Sequence, residues 1–371
     1  MNQLRVTEKA SPMDSRQNNR ALLLQHLFHD GEMSRADLSR VSGLTRMSVS
    51  DLVAELDSEG LLLDLGTRAR SKVGKPPTLI ALDDNARHVI SLNLSDDHQV
   101  TGALLNLRGE ILERREAALR GQMGEDAANV ALAVARDLRQ ASNVPVLGVG
   151  IGSPGVVNRD GVILEAPNLG WVNQALAEPF SHSLGVPTHV ANDANAATLA
   201  IHTFHEGGGK NMMLVLIGQG VGAGLIIDGA LVQGDAFTAG EIGHIVMDEE
   251  GALCSCGRRG CLETLLSVSN LGKQLSAADV EQQQRLLRKA GRSLGAALTP
   301  IIAALGISAV ALAGPAEFMA DALCEEVRST VERRTLPAVT GQLQVDSATN
   351  PGDLVLQGAA ALVLSNELGI S

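Results

Sequence analysis

Between Gly240 and Glu263 the chain reads GEIGHIVMDEEGALCSCGRRGCLE, a segment that holds three of the protein's four cysteines. They run Cys254-x-Cys256-x4-Cys261, and His244 stands ten residues before the first. One imidazole and three thiolates form the closed tetrahedral set that zinc takes in structural sites, with no ligand position left for water. A disulfide fits less well. Cys254 and Cys256 are too close in sequence to bridge comfortably, and no export signal precedes them. Three buried cysteines beside an unrelated histidine would leave the compactness of the set unexplained. A histidine that binds metal through one ring nitrogen keeps the other oriented for a second partner. Glu241 precedes His244 by three residues and Glu263 follows Cys261 by two, so one rigid knot would aim an imidazole and two carboxylates at a shared space. Such convergent donors and acceptors suit a small polyhydroxylated ligand.

Two elements carry a resemblance: Glu-x-Gly-His (Glu241–His244) and Cys-x-Cys-Gly-x-x-Gly-Cys-Leu-Glu (Cys254–Glu263). Together, at this spacing, they resemble the signature of the ROK family, which groups sugar-responsive bacterial repressors with sugar kinases. The resemblance extends over residues 15–371. It implies an α/β fold with a two-lobed, actin-like (sugar kinase/ribonuclease H-like) domain. It also implies a sugar-binding set of Asn192, Asp193, Glu241, His244 and Glu263, with Asn168 and the Ser153–Gly155 turn nearby.

The elements that must position these residues follow from the pattern. From His88 onward strands alternate with helices: HVISLNLS, QVTGALLNL and EILERREAAL read as strands, 125–141 as an amphipathic helix, and VLGVGIG as an apolar strand. A second set begins with MMLVLIG and GAGLIIDG. Gly102-Ala103 and Gly109 match Gly222-Ala223 and Gly229 at one offset, which hints at duplication into two α/β subdomains across a cleft. Glu165–Trp171 reads as a loop, and Ala191–Asn195 joins a strand to a helix. On residue chemistry alone Asn192 and Asp193 also fit helix capping. Trp171, the one tryptophan, fits a sugar platform or a loop anchor equally. The segments 280–305 and 353–368 are apolar enough for internal packing or for pairing with a second chain.

The first 88 residues differ in kind. Residues 1–14 are polar and aperiodic, a flexible arm. Over 15–83 the spacing predicts a winged helix-turn-helix. A helix at 15–29 carries Leu23, Leu24, Leu27 and Phe28 on one face. Ser34 and Asp37 then form a capping box, Gly43 stops the short helix, and Thr45 caps a third bearing Val49, Leu52, Val53 and Leu56. Thr45, Arg46, Met47, Ser48 and Ser50 would meet base edges as the start of a recognition helix. Two strands follow around a tip with Arg68, Arg70, Lys72 and Lys75, and no acid occurs between Asp64 and Asp83. A basic hairpin tip suits phosphate or minor-groove contact. A purely structural three-helix unit is the alternative. The segment is also similar to the winged helix of ROK regulators, with Gly74-Lys75-Pro76 where a Gly-Arg-Pro tip is common and Asp51 where the family often has a basic or neutral residue.

Composition sets the bounds. With 371 residues, 45% hydrophobic and 19% charged, the chain is long enough for two or three domains. Its net charge is −12, yet residues 1–88 hold 12 Lys+Arg against 12 Asp+Glu, so the acid excess lies beyond them. Aromatics at 2% disfavour stacking on single-stranded nucleic acid. Neither a membrane span nor a signal-peptide core is evident, and a cytoplasmic protein is expected.

A kinase of the resembled family needs a base, for which Asp193 stands, and two phosphate turns. The first, an Asp-x-Gly-Gly-Thr turn in such kinases, reads Asn93-Leu94-Ser95-Asp96-Asp97-His98 here. The leading carboxylate and both glycines are gone, and two carboxylates would repel phosphate. The glycine-rich turn of the second lobe near the adenosine is also altered, to Ala313-Gly314-Pro315-Ala316. Gly218–Gly224 keeps its glycines, either for phosphate or for a tight hairpin that needs positive φ. The sequence therefore points to a non-enzymatic, sugar-responsive regulator, most simply a repressor, that binds double-stranded operator DNA as a homodimer or homotetramer. Its effector would be a sugar or sugar phosphate, and it would carry a structural zinc. An ATP-dependent sugar kinase with an added DNA-binding domain is the alternative.

Overall fold

A computed structural model of the chain describes residues 14–67, 78–205, 209–341 and 343–371. Its N-terminal part comprises α1 (Asp14–His29), β1 (Met33–Ser34), α2 (Arg35–Ser42), α3 (Arg46–Ser58), β2 (Leu62–Thr67) and β3 (Thr78–Leu82), with strand order β1-β3-β2. The local signals act as expected. Ser34 and Asp37 exchange the two bonds of a capping box, Gly43 closes α2 at φ 69°, and the Thr45 hydroxyl accepts the Ser48 N–H at 3.1 Å. Leucines of α1 and the Val49-Leu52-Val53-Leu56 face of α3 close on Ile80 and Leu82 of β3. The two-residue β1 is too short to leave a sequence period and exists only through its pairing with β3. The expected basic tip with Arg68, Arg70, Lys72 and Lys75 lies outside the described residues, as does nearly all of the arm.

The first lobe is a five-stranded sheet ordered β11-β7-β4-β5-β6. Its strands are β4 (His88–Asn93), β5 (Gln99–Leu105), β6 (Ile111–Ala118), β7 (Val146–Ser153) and β11 (Thr188–Asn192), with α4 (Gly124–Ala141) between β6 and β7. Strand β7 runs parallel to both neighbours, which explains why VLGVGIGS lacks polar alternation. The expected loop at Glu165–Trp171 is instead a hairpin. β9 (Val162–Ala166) and β10 (Trp171–Ala175) pair antiparallel across a single 3-10 turn, and β8 (Val156–Val157) flanks β9. Short apolar strands flanking a Pro-Asn-Leu-Gly turn are hard to tell from loop by composition. Trp171 is 1% exposed and donates Nε1–H to the Gly124 carbonyl at 2.8 Å, so it anchors this hairpin in the core.

Helix α5 (Ala177–Leu184) precedes β11, and α6 (Asp193–Phe204) follows it. The second lobe repeats the first. Its strands are β12 (Met212–Ile217), β13 (Val221–Ile227), β14 (Ala230–Leu231), β15 (Ala309–Ala313) and β16 (Gln344–Ala348), ordered β14-β13-β12-β15-β16. Read from the other edge, β16-β15-β12-β13-β14, that is the order of the first sheet with each strand replaced by its counterpart, and Gly109 and Gly229 follow equivalent strands at the same φ of 74°. Short α7 (Glu263–Leu266) and α8 (Lys273–Ser276) precede α9 (Val280–Leu305), which packs on α10 (Asp321–Arg334). After α11 (Pro337–Thr340), α12 (Pro351–Glu367) returns to the first lobe.

Glycines decide how the lobes meet. Alternate residues of β7 share one face, and on that face they are Gly148, Gly150 and Gly152. A Cβ at Gly150 would lie 2.0 Å from the Ala359 carbonyl, and one at Gly152 would lie 2.3 Å from Val355, so α12 rests directly on the strand. On the adjoining face of α12, a Cβ at Gly358 would lie 1.6 Å from the Ala196 carbonyl of α6. Nine residues of α12 are buried, so this helix serves internal packing.

Candidate functional site

The knot at 240–263 contains little regular structure beyond a 3-10 turn at Ile242–His244 and two isolated bridges, Val246↔Cys261 and Leu253↔Arg259. Its glycines pin it to β13. A Cβ at Gly240 would lie 1.8 Å from the Ala223 carbonyl, and one at Gly243 would lie 2.1 Å from that of Val221. Among the described residues, His244, Cys254, Cys256 and Cys261 bring four ligand atoms within 4.8 Å of one another. Cys254 Sγ is 3.7 Å from His244 Nδ1, and Cys256 Sγ is 3.6 Å from Cys261 Sγ. These separations match the edge of a tetrahedron of about 3.7 Å set by Zn–S bonds near 2.3 Å, and they are far beyond a disulfide bond. Burial and the neighbouring thiols push Cys261 up to about 12, while the backbone of Arg258 draws Cys256 down to about 7. A dication bound among these sulfur atoms would take up the Cys261 proton's place and offset their crowding.

Around this knot stand the carboxylates. Glu263 opens α7; its Oε2 accepts the Val221 N–H at 3.2 Å, and its Oε1 accepts the Ser255 hydroxyl at 3.2 Å. Asp193 opens α6 and its Oδ1 accepts its neighbour's Ala194 N–H at 2.8 Å. Burial raises the pKa of Asp193. Burial also raises that of Glu241, with nearby Asp193 and Glu263 adding to the shift and His244 opposing it. Asp193 of the first lobe thus shares an electrostatic neighbourhood with Glu241, His244 and Glu263 of the second.

What brings them together is again glycine. The hairpin glycines Gly218, Gly220, Gly222 and Gly224 do not adopt the positive φ of the tight-hairpin alternative. Gly220, Gly222 and Gly224 are needed for close approach instead. A Cβ at Gly220 would lie 2.9 Å from Glu263 Oε2, one at Gly222 would lie 3.2 Å from Ala194 Cβ, and one at Gly224 would lie 2.0 Å from Thr198 Oγ1. At Gly222 and Gly224, strand β13 therefore presses on α6 with no side chain of its own in the way.

Other expected residues fall as follows. Asn192 is the N-cap of α6: its Oδ1 accepts the Asn195 N–H at 3.1 Å and its Nδ2 donates to the Gly155 carbonyl at 2.9 Å. The capping alternative accounts for its side chain, which also ties the Ser153–Gly155 turn to the helix. Asn168 is exposed and donates Nδ2–H to Asp97 Oδ1 at 2.7 Å. The Ser95 hydroxyl approaches Asp193 but stops short of a full hydrogen bond. Ser95 and Asp97 were not expected to take part; their only sequence signal was the replacement of a glycine turn. On α3, Arg46, Met47 and Ser50 are exposed and Ser48 is half-buried, while the Thr45 hydroxyl is occupied by its cap.

One connection had no sequence signal beyond the scarcity of phenylalanine, of which there are five. Phe204, the last residue of α6, meets Phe28 of α1 with ring centroids 6.2 Å apart. Arg108 lies 4.4 Å over the Phe28 ring, donates to the Phe28 carbonyl and pairs with Asp84 at 2.8 Å. The C-terminus holds the same helix: Gln25 donates to the Gly369 carbonyl, and His29 Nε2 meets the Ser371 carbonyl, both at 2.8 Å. Arg16–Glu55 and Arg20–Glu59 ion pairs then join α1 to α3 and its C-cap.

Residues 96–366 match the model of the ROK family. The chain is 28% identical to the xylose repressor of Caldicellulosiruptor bescii, over 95% of this chain and 97% of that protein. It is 31% identical to a glucokinase of Halalkalibacterium halodurans, over 71% of this chain and 92% of that one. Among solved structures, a ROK family transcriptional regulator described as a homologue of Escherichia coli Mlc superposes with a TM-score of 0.80 at 25% identity, covering 96% of this chain and 99% of its own.

Proposed function

This chain belongs to the ROK family, and from that premise we propose that it is a sugar-responsive DNA-binding transcriptional regulator, acting as a repressor. The observation that carries the reading is helix α6. One end bears Asn192 and Asp193 beside Glu241, His244 and Glu263, and the other end bears Phe204 against the DNA-binding unit. A helix of 12 residues spans about 18 Å, so ligand contacts and α1 are joined by a single rigid element. A kinase has no use for that joint.

In this reading Asn168, Asp193, Glu241, His244 and Glu263 bind the sugar, with Asn192 fixing the start of α6. Zinc held by His244, Cys254, Cys256 and Cys261 keeps the sensing knot rigid and takes no part in chemistry. Arg46, Met47, Ser48 and Ser50, capped by Thr45, read bases, and Arg68, Arg70, Lys72 and Lys75 contact the backbone or minor groove. The protein works in the cytoplasm as a homodimer or homotetramer on palindromic operators. Among the described residues no helix is long and apolar enough to cross a membrane. Catalysis is disfavoured by the Asn93–His98 turn, where the Ser95 and His98 N–H groups are taken by Asn93 and Asp96 side chains.

The test is binding of the protein to its own upstream DNA at fixed salt, with a panel of sugars and sugar phosphates. A sugar that changes DNA affinity supports the reading. DNA binding that no sugar alters, together with sugar-dependent ATP consumption, would replace it with the kinase. Substituting Arg70 and Lys72 by Ala should reduce both affinity and the steepness of its salt dependence, the slope falling by about one unit for each phosphate that is no longer neutralised.

A further inference from the structure

The rim of the ligand site offers almost nothing to an anion. In the Asn93–His98 turn, the Ser95 N–H donates to Asn93 Oδ1 at 2.9 Å and the His98 N–H to Asp96 Oδ1 at 2.8 Å. Two backbone donors are thereby consumed within the turn itself. Asp97 holds the Asn168 amide at 2.7 Å, joining the turn to the 3-10 bend after β9. Ser95 of the turn lies beside Asp193, and Glu241 lies near both Asp193 and Glu263. Among the described residues, no lysine or arginine forms an ion pair with Asp96, Asp97, Asp193, Glu241 or Glu263. Zinc bound to three thiolates and a neutral imidazole would leave the knot with one further negative charge.

We propose that the Asn93–His98 turn is a wall of the ligand site, that Asp97 is a positioning residue which aims Asn168 at the ligand, and that the ligand is an uncharged sugar and not its phosphate ester. The inference rests on the sugar-sensor reading above. Having donated one N–H to Asp97, the Asn168 amide keeps its carbonyl oxygen and a second N–H. That is the donor–acceptor pair a sugar hydroxyl needs. An amide fixed in advance binds without paying again for its ordering. A phosphate dianion near these carboxyl groups, none of which is ion-paired to a lysine or arginine among the described residues, is repelled by each one that is ionised.

The test is calorimetric titration of the full chain with D-xylose, D-glucose and further free pentoses and hexoses, each beside its terminal phosphate ester. A free sugar should bind on the order of 100-fold more tightly than its ester. Asp97→Ala should weaken that sugar about tenfold, the loss of one aligned hydrogen-bonding group. Asp97→Asn, whose oxygen still accepts from Asn168, should restore the sugar affinity while narrowing the gap to the ester. A structural defect alone would not separate those two variants, and equal unfolding temperatures would show both to be folded. An ester that binds as tightly as its sugar overturns the ligand class, and an Asp97→Ala protein with unchanged sugar affinity overturns the positioning role. Binding of neither sugars nor esters, with operator DNA still bound, would instead remove the sensor reading and this inference with it.

Discussion

Truncating Phe204 tests the joint between ligand site and DNA-binding unit. Complete burial of a phenylalanine makes its replacement by alanine destabilising by about 3–5 kcal/mol. Phe204 is only half-buried, although it fits against Phe28 and over Gly109, where a Cβ would lie 2.9 Å from its ring. A total loss of about 2 kcal/mol follows, and the aromatic pairing accounts for roughly 0.5–1.5 kcal/mol of it. Allosteric coupling amounts to about 1–3 kcal/mol. If it passes through this pair, Phe204→Ala should remove about 1 kcal/mol and shrink the sugar-induced change in operator affinity roughly fivefold. Fluorescence anisotropy of labelled operator, with and without saturating sugar, reads that ratio; calorimetry without DNA reads sugar affinity, which should hold. A Phe204→Ala protein that is less stable yet keeps the wild-type ratio would refute the route through α6.

Wild-type protein should retain about one zinc per chain after dialysis, and Cys261→Ser should lose it together with several degrees of unfolding temperature; a fully folded, metal-free wild type would remove the metal assignment. Gly224→Val should destabilise by about 1–3 kcal/mol and abolish sugar binding, because even its Cβ would lie 2.0 Å from Thr198 Oγ1; unchanged urea unfolding would show that β13 and α6 are not tightly opposed. Burial raises Asp193 above its ordinary value of 3.8. Below that value it is protonated in both folded and unfolded states and contributes nothing. As pH rises from that value to the raised folded one, the unfolded chain ionises first and the folded state loses stability; above the folded value the penalty stays constant, so this group lowers stability on the alkaline side. Asp193→Asn should flatten that part of the stability profile, measured by thermal unfolding from pH 4 to 8, and an identical slope in the variant would contradict the shift.

Much of this arrangement was legible in the residues. The Ser34–Asp37 box, the Thr45 cap and the Gly43 stop are local signals that tertiary packing had no reason to override: α2 begins and ends, and α3 begins, where those residues dictate. The metal set was legible because its spacing is itself a chemical requirement. The glycines were legible as glycines but not in their purpose. Those of β7 and β13 look like flexible or phosphate-binding residues in sequence, whereas three-dimensional structure uses them as the absence of a side chain under α12 and α6. β1 and the β9–β10 hairpin were missed because short strands are defined by their partners and not by their own period. Phe204 and Phe28 lie 176 positions apart, and no pattern within one chain links them.

The attachments of α1 constrain how a sugar could act on DNA. Phe204 comes from α6 and the Gly369–Ser371 tail from the end of α12. These two helices meet almost backbone to backbone at Gly358 and Ala196. Interfaces packed this closely resist continuous deformation, so α6, α12 and α1 move with the first sheet, and β13, held as closely against Ala194 and Thr198, is the contact about which the rest of the second lobe would turn. Glu241, His244 and Glu263 belong to the other lobe. Closure around a sugar therefore moves the second lobe relative to the winged helix and does not bend the winged helix against its own lobe. In a dimer paired through first lobes the two reading heads would stay in place whatever the ligand did. In a dimer paired through second lobes the same closure swings the heads apart or together, and half-site spacing becomes the quantity the sugar controls. Cross-linking between the paired α3 helices separates the two: a yield that changes on sugar binding requires second-lobe pairing, and a constant yield rules it out.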